Sequence, residues 1–253
     1  MDVEYDQHFL VNEKVIQKTI KEANIGKDDR IVEIGPGKGV LTKEILKQNI
    51  KSLTSIEIDK RFESILKDIK KDFPIKFNFV FDNALNQLNN IEFNKLIANI
   101  PYAITEPLYE QILKLKIPLV ILLHGNRFYK ILNDNTSIWH HFVNAFYNIE
   151  LIEEVEGDNF EPKTKVKSAL VKLELKTDLS KIDLLMQNLF NKRTRSVKNA
   201  IKFAMVDTFG VSKKSIDLES IDSIVLNKVL KDLSREEFGK VIDYFSQASH
   251  LDK

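Results

Sequence analysis

The 253-residue chain contains no cysteine. That absence excludes a disulfide scaffold, a thiolate metal site and a cysteine nucleophile together. No run of about 18 apolar residues occurs, so no segment is expected to span a membrane. The opening residues, Met1 to Asp6, are acidic and hold no apolar stretch. They fit neither a secretory signal nor an arginine-rich transit peptide, and a cytoplasmic protein is expected. Internal repeats and low-complexity linkers are also absent. So is a large charge of one sign: 38 basic and 37 acidic residues leave a net charge of +1. Taken whole, the balance argues against a nonspecific nucleic-acid coat. It is uneven, however. Residues 160–214 hold 13 basic and 5 acidic residues, a net +8, and the remainder of the chain is net −7. A basic segment on a neutral chain points to a local polyanion contact. Hydrophobic residues make up 43% of the chain, enough for a packed core. The length suits one large domain with one small one.

Short apolar runs alternate with helical patterns over the first 125 residues. Strands are expected at Arg30–Gly35, Leu53–Ile58, Lys76–Phe81, Lys95–Ala98 and Pro118–Leu123. Helices are expected from the glycine turn to Gln48, from Lys60 to Asp72 and from Thr105 to Lys116. This alternation implies an α/β fold, a parallel sheet with helices on both faces. Ile149–Val155 and Val166–Leu175 read as a strand pair around a loop. From Ser180 onward the pattern is helical only, with Ser234 and Glu237 in capping-box spacing. The expected division is therefore a sheet domain over residues 1–178 and a small helical domain over 179–253.

Glu33-Ile34-Gly35-Pro36-Gly37-Lys38-Gly39 follows the first of these strands and opens a helix. The glycines allow a sharp turn and close approach of a ligand. The next strand ends at Glu57-Ile58-Asp59, where a carboxylate can accept from both hydroxyls of a ribose. The third ends at Asp82-Asn83-Ala84, where a polar side chain can read an adenine amine. Three successive strand ends thus offer backbone, ribose and base contacts. The spacing is G-x-G-x-G rather than the dinucleotide G-x-G-x-x-G. Glu33 before the turn would repel a pyrophosphate but suits the cationic sulfonium and amine of S-adenosylmethionine (SAM).

The fourth strand ends in Asn99-Ile100-Pro101-Tyr102. Pro101 fixes its own φ and keeps Ile100 out of the helical region, which makes a rigid turn beside the cofactor. The Asn99 side-chain oxygen and the Ile100 carbonyl can each accept a hydrogen bond, and Tyr102 offers a flat face. Methylation of an aromatic amine needs this set. The amine lone pair is delocalised into the ring. Two acceptors on its N–H bonds favour a pyramidal nitrogen aimed at the methyl group, and stacking fixes the plane of the base. Positioning and electrostatics then suffice, with no metal.

The ordered motifs resemble those of the KsgA family, the SAM-dependent dimethyltransferases of small-subunit ribosomal RNA. They are Gln7–Leu10, Glu33–Gly39, Glu57–Asp59, Asp82–Ala84, Asn99–Tyr102, Ile104–Leu108, Phe160–Ala169 and Asn191–Ala200, and together they run along almost the whole chain. The resemblance implies a Rossmann-like methyltransferase sheet with a small C-terminal helical domain. It implies N6,N6-dimethylation of two adjacent adenosines in the 3′-terminal hairpin loop of small-subunit rRNA, in ribosome biogenesis. Cofactor contacts are implied at His8, Leu10, Gly35, Glu57, Asp82 and Asn99, with Glu33, Gly37, Ile58 and Asn83 in the same strand-end motifs. The target adenine is expected between Tyr102 and Phe160, flipped from its stack. A monomer acting on a pre-30S-type particle is the expected assembly. The pattern breaks at His8, where the family usually has Asn, at Thr164 in place of a proline, and over residues 135–141. Erm-type methyltransferases of large-subunit rRNA share these motifs. A SAM-fold RNA-binding assembly factor is a third reading.

Lys192, Arg193, Arg195, Lys198 and Lys202 are expected on one helix, with Arg195, Lys198 and Lys202 on a common face toward rRNA phosphates. Phe190, Val197, Ala200, Ile201 and Ala204 form its apolar side. His124, His140 and His141 read as surface or packing residues rather than metal ligands.

Overall fold

A computed structural model describes residues 7–247; the acidic opening hexapeptide lies outside them. In chain order the strands and helices begin with β1 (Phe9–Leu10), α1 (Glu13–Glu22), β2 (Arg30–Ile34), α2 (Val40–Leu46) and β3 (Ser52–Glu57). They continue through α3 (Glu63–Asp72), β4 (Phe77–Phe81), α4 (Ala84–Gln87), β5 (Lys95–Asn99), α5 (Thr105–Leu115), β6 (Leu119–Gly125) and α6 (Asn126–Leu132). Then come α7 (Ile138–Phe146), β7 (Tyr147–Val155), β8 (Phe160–Glu161) and β9 (Ser168–Leu175). The last helices are α8 (Lys181–Asn191), α9 (Val197–Phe209), α10 (Ser223–Asn227) and α11 (Arg235–Gln247). The α/β class and the five expected strands are all present.

The chain falls into two compact units. Of the described residues, the first holds 7–129 and Asn148–Leu175. Its seven-stranded sheet runs β4-β3-β2-β5-β6-β9-β7, with β2 to β6 parallel and β9 antiparallel to β6. Every residue of β6 is buried, the continuous apolar run of a central strand covered on both faces. The order reverses at β2, which has β3 on one side and β5 on the other. The carboxyl ends of those strands therefore flank a crevice open to a ligand. A second, two-stranded sheet pairs β1 antiparallel with β8, setting Leu10 opposite Phe160.

Of the described residues, the second unit combines 130–147 with 176–247. The sequence pattern keeps 130–147 in the first domain. In the structure Phe142 of α7 meets Phe190 of α8 at 5.4 Å and Phe238 of α11 at 6.1 Å, and Phe146 meets Phe190 at 5.5 Å. Gln187 donates to the Ala145 carbonyl at 2.8 Å within this core. Aromatic packing between segments so far apart leaves no local periodicity to read. The Ser234–Glu237 capping box forms, as does a second at Ser180–Asp183.

One polar knot sets the level of the sheet. Asp29, just before β2, accepts from the Gly26 N–H, the Asn94 amide and Lys95, each at 2.7 Å. The Asn94 oxygen accepts the Arg30 N–H at 2.8 Å, and the Asp29 carbonyl accepts the Lys51 N–H at 3.0 Å. The knot therefore ties together the starting points of β2, β3 and β5. Burial opposes ionisation of Asp29, but Lys95, Gly26 and Asn94 outweigh it and hold the carboxyl below its ordinary value. That stabilisation is present above pH 3.8 and is lost as pH falls through the lowered value. Asp29→Asn should cost about 2–4 kcal/mol at neutral pH, because the Lys95 ammonium loses its counter-charge. The deficit should shrink in acid, where the native carboxyl also protonates; urea melts across that range check both statements.

Candidate active site

A cavity of about 440 Å3 opens at the carboxyl ends of β2, β3, β4 and β5. It falls within the usual size range for a small-ligand site. Gly35, Gly37, Glu57, Ile58, Asp82, Asn83, Asn99, Ile100, Pro101, Tyr102, Phe160 and His8 all line it. Residues from four strand ends and the β1–β8 sheet thus converge, as their order along the chain predicts. Leu10 and Glu33 do not reach this cavity. They line a smaller one of about 40 Å3 next to it, which shares Phe9, Gly35 and Asn99.

The glycine turn is required here. Gly37 lies at φ +50°, and a Cβ on it would sit 2.6 Å from the Phe9 ring. Its N–H donates to Glu57 Oε2 at 3.0 Å, while Ile58 and Asp59 N–H groups donate to Oε1 at 2.9 Å each. A carboxylate offers about four acceptor positions, so one remains for a ribose hydroxyl, where the sequence pattern predicts two. Burial pushes the Glu57 carboxyl up, against these three bonds. Ile58 is 53% exposed beside it, an apolar face toward the cavity that a stacked ring would cover. Asp82 accepts from the Gln87 amide and the Asn83 N–H, both at 2.6 Å. Those bonds hold its pKa below the ordinary value, so it stays an acceptor.

Asn99 closes β5 and donates through Nδ2 to the His8 carbonyl at 3.2 Å. A carbonyl can only accept, so the amide nitrogen is fixed toward His8 and the amide oxygen is left as an acceptor. The His8 ring donates from Nδ1 to the Pro162 carbonyl at 2.8 Å. At this position the backbone orients Asn99 while the imidazole ties β1 to the loop after β8. Tyr102 is 36% exposed and Phe160 is 3% exposed, and both rings line the cavity. Ser168 also lines it, and its hydroxyl bonds that of Tyr102 at 3.1 Å. Ser168 lies in the Phe160–Ala169 motif, but the sequence assigns it no role of its own.

His124 and His141 are packing groups. His124 is fully buried, bonded to the Tyr109 hydroxyl at 3.0 Å, and burial pushes its pKa down to about 4. His141 packs on Phe238 at 5.5 Å.

The basic segment differs from its expected form. Only Lys198 and Lys202 lie on α9; Lys192, Arg193 and Arg195 occupy the turn between α8 and α9. The backbone there has other partners. The Arg195 carbonyl accepts from Leu230, the Arg193 carbonyl from Lys231, and Val197 donates to Lys228. These bonds compete with helix formation and replace it. Arg195 and Lys192 lie over the Phe203 ring at 4.6 and 5.5 Å, and Lys192 also pairs with Asp207 at 3.6 Å. Arg195 and Lys198 remain exposed.

The model of the family described as ribosomal RNA adenine dimethylase matches residues 2–247. Ribosomal RNA small subunit methyltransferase A of Clostridium botulinum (Loch Maree) is 32% identical over 256 residues, covering 94% of this chain and 91% of that protein. Its namesake in Sulfurihydrogenibium sp. is 33% identical over 222 residues, covering 81% and 86%. Among solved structures, a dimethyladenosine transferase from Plasmodium falciparum superposes with a TM-score of 0.63 at 23% identity, covering 95% of this chain and 98% of that one. The 23S rRNA methyltransferase ErmE superposes with a TM-score of 0.62 at 20% identity, covering 94% and 99%. Both share the Rossmann-like methyltransferase fold with this chain.

Glu33 gives the site a pH signature. Burial pushes its carboxyl up to about 7, opposed by bonds from Ser55 and Thr42 and reinforced by the Glu57 charge. The folded chain therefore keeps a proton that the unfolded chain releases above 4.5, and stability falls as pH rises from there to about 7. Glu33→Gln retains an acceptor for the Ser55 and Thr42 hydroxyls and cannot ionise. Relative to the native chain, its melting temperature should gain between about pH 5 and about pH 8, as read by thermal scans.

Proposed function

The chain belongs to the ribosomal RNA adenine dimethylase family, and from that premise we propose that it dimethylates two adjacent adenosines in the 3′-terminal hairpin loop of small-subunit rRNA, using SAM. The observation that carries this reading is the convergence of Asn99, Ile100, Pro101, Tyr102 and Phe160 with the glycine turn, Glu57, Ile58 and Asp82 around one cavity. The donor set fits a nucleoside carrying a cationic side chain. Gly35 and Gly37 keep the turn clear of side chains, Glu57 retains an acceptor, Ile58 presents an apolar face and Asp82 presents an ionised acceptor.

SAM supplies an electrophilic methyl group on sulfonium, with a neutral thioether as leaving group. The protein's part is to place the amine. The Asn99 amide oxygen, held outward by the His8 carbonyl, accepts one N–H of the adenine. The Ile100 carbonyl, fixed by the Pro101 turn, accepts the other. Tyr102 stacks on one face of the base and Phe160 closes the opposite side. The amine proton leaves after the nitrogen has become cationic, when it is acidic enough for solvent to take. This arrangement works by orientation and preorganised dipoles.

Small-subunit rRNA is the substrate favoured by the relatives, which bear the name small subunit methyltransferase A. The solved structures do not separate the branches, because the TM-scores of 0.63 and 0.62 are nearly equal. Exposed Arg195 and Lys198 with Lys202 and the turn cations Lys192 and Arg193 then meet rRNA phosphates. The particle recognised is a pre-30S-type subunit, met by a monomer in the cytoplasm. Among the described residues no helix is long and apolar enough to cross a membrane.

Labelled SAM with small-subunit particles lacking the modification, followed by mass-spectrometric mapping, tests the reading directly. Dimethyladenosine at two adjacent positions is expected. Label in large-subunit rRNA, or SAM binding without transfer, would overturn it. Asn99→Ala should lower transfer by roughly 100- to 1000-fold with rRNA binding retained. Arg195→Glu with Lys198→Glu should weaken rRNA binding and lower its salt slope by about 2, as measured by filter binding across ionic strengths.

A further inference from the structure

Tyr102 is an exposed aromatic of the cavity, and it sits in a short 3-10 turn, its carbonyl accepting the Thr105 N–H, rather than in a strand. A stacking ring on such a turn needs something else to fix its plane. Two residues at the end of the β6–β9 ladder supply this. Gly125 and Ser168 are opposite each other in that antiparallel register, so their side-chain positions share one face of the sheet. The Tyr102 ring lies on that face. A Cβ on Gly125 would stand 3.1, 3.3 and 3.4 Å from Cδ1, Cε1 and Cγ of Tyr102. The ring therefore rests directly on the Gly125 backbone. The Ser168 hydroxyl, 1% exposed, meets the Tyr102 hydroxyl at 3.1 Å.

The support under the ring is itself held. The Asn126 N–H donates to the Lys167 carbonyl at 2.9 Å, closing the ladder one step past Gly125. The Gly125 carbonyl can only accept, so His124 donates to it from Nδ1, at 3.1 Å. Nε2 is then the acceptor, and the Tyr109 hydroxyl donates to it at 3.0 Å. His124 and Tyr109 are fully buried. A chain of buried bonds thus runs from α5 through β6 to the peptide on which Tyr102 lies. Gly125 does not use left-handed backbone. Its lack of a side chain is called for by the ring alone.

We propose that Gly125 and Ser168 are positioning residues for methyl transfer, the first setting the depth and plane of the Tyr102 ring and the second its in-plane rotation. This rests on the reading that the target adenine stacks on Tyr102. With one face against Gly125 and the hydroxyl tethered, the ring presents its other face to the cavity in a single orientation. The base laid on it then meets Asn99 and Ile100 at one height, and the amine is aimed without a search over tyrosine rotamers.

A double-mutant cycle tests the proposal. Ser168→Ala and Tyr102→Phe remove the two ends of one hydrogen bond. Each should lower kcat for small-subunit particles about fivefold, the usual worth of such a bond. KM for SAM should not move. If the hydroxyls act only on each other, the double variant falls no further than the worse single one. Losses that multiply, or Ser168→Ala activity equal to that of the native chain, would overturn the role of Ser168. Gly125→Ala, which the backbone permits, should lower kcat about tenfold with the KM for SAM unchanged. Full activity in that variant would overturn the role of Gly125. Tyr102→Ala separates this proposal from its premise: undiminished transfer there would end the stacking reading itself, whatever the cycle shows. Tyr102→Phe adds no volume and removes the exposed partner of the bond, so the hydroxyl effect stays measurable if a Ser168 variant folds poorly.

Discussion

Everything at this site depends on where the parallel strands stop. Parallel pairing slants the backbone hydrogen bonds and gives no hairpin to fix the register, so the starting level must be set by something else. Here the knot of Asp29, Asn94 and Lys95 sets it at the opposite edge of the sheet. With β2, β3 and β5 starting together, Ile34 pairs with Ile56 and with Ala98. The next residues, Gly35, Glu57 and Asn99, then reach the crevice at one level. A buried ion pair is poor evidence of stability in general. Its value here is geometric: it holds the register at one end so that ligand-facing groups align at the other.

The second constraint is the short β1–β8 pairing. It carries Phe9, the His8 carbonyl and Phe160 to the strand ends. Neither strand has more than two residues, and neither would persist alone. The His8–Pro162 and Asn99–His8 bonds anchor them from both sides. The cavity thus has a floor of parallel strand ends and a partial cover made from segments about 150 residues apart. Gly37 shows how close the two approach, since even a methyl group would enter the Phe9 ring.

Charge is deployed differently in the two units. At the cavity, buried Glu57 is bonded by three backbone N–H groups and half-buried Asp82 by one N–H and the Gln87 amide, which leaves few free acceptor positions and makes each one directional. In the helical unit, Arg195 and Lys198 are exposed, and Arg195 and Lys192 gather on the Phe203 ring. The first arrangement suits recognition of one small molecule, the second a polyanion whose charges are many and regularly spaced.

The five strands, the glycine turn, the carboxylates at 57 and 82 and the Asn99–Tyr102 turn were legible in the sequence, because each is written in local residue order and period. Apolar runs mark buried strands, glycines mark the turn, and Pro101 fixes the conformation before it. Three features were not legible. The helix expected across residues 192–202 breaks at a turn, because residues 228–231 take its backbone bonds. Residues 130–147 join the helical unit, because Phe142 and Phe146 meet Phe190 and Phe238. Glu33 sits off the main cavity, because Ser55 and Thr42 claim it. In each case a partner distant in sequence decided the outcome. The sequence determined which chemical groups stand at which strand ends; only the tertiary structure decided which lone pairs those groups still have free, because hydrogen-bond partners are assigned by packing and not by order along the chain.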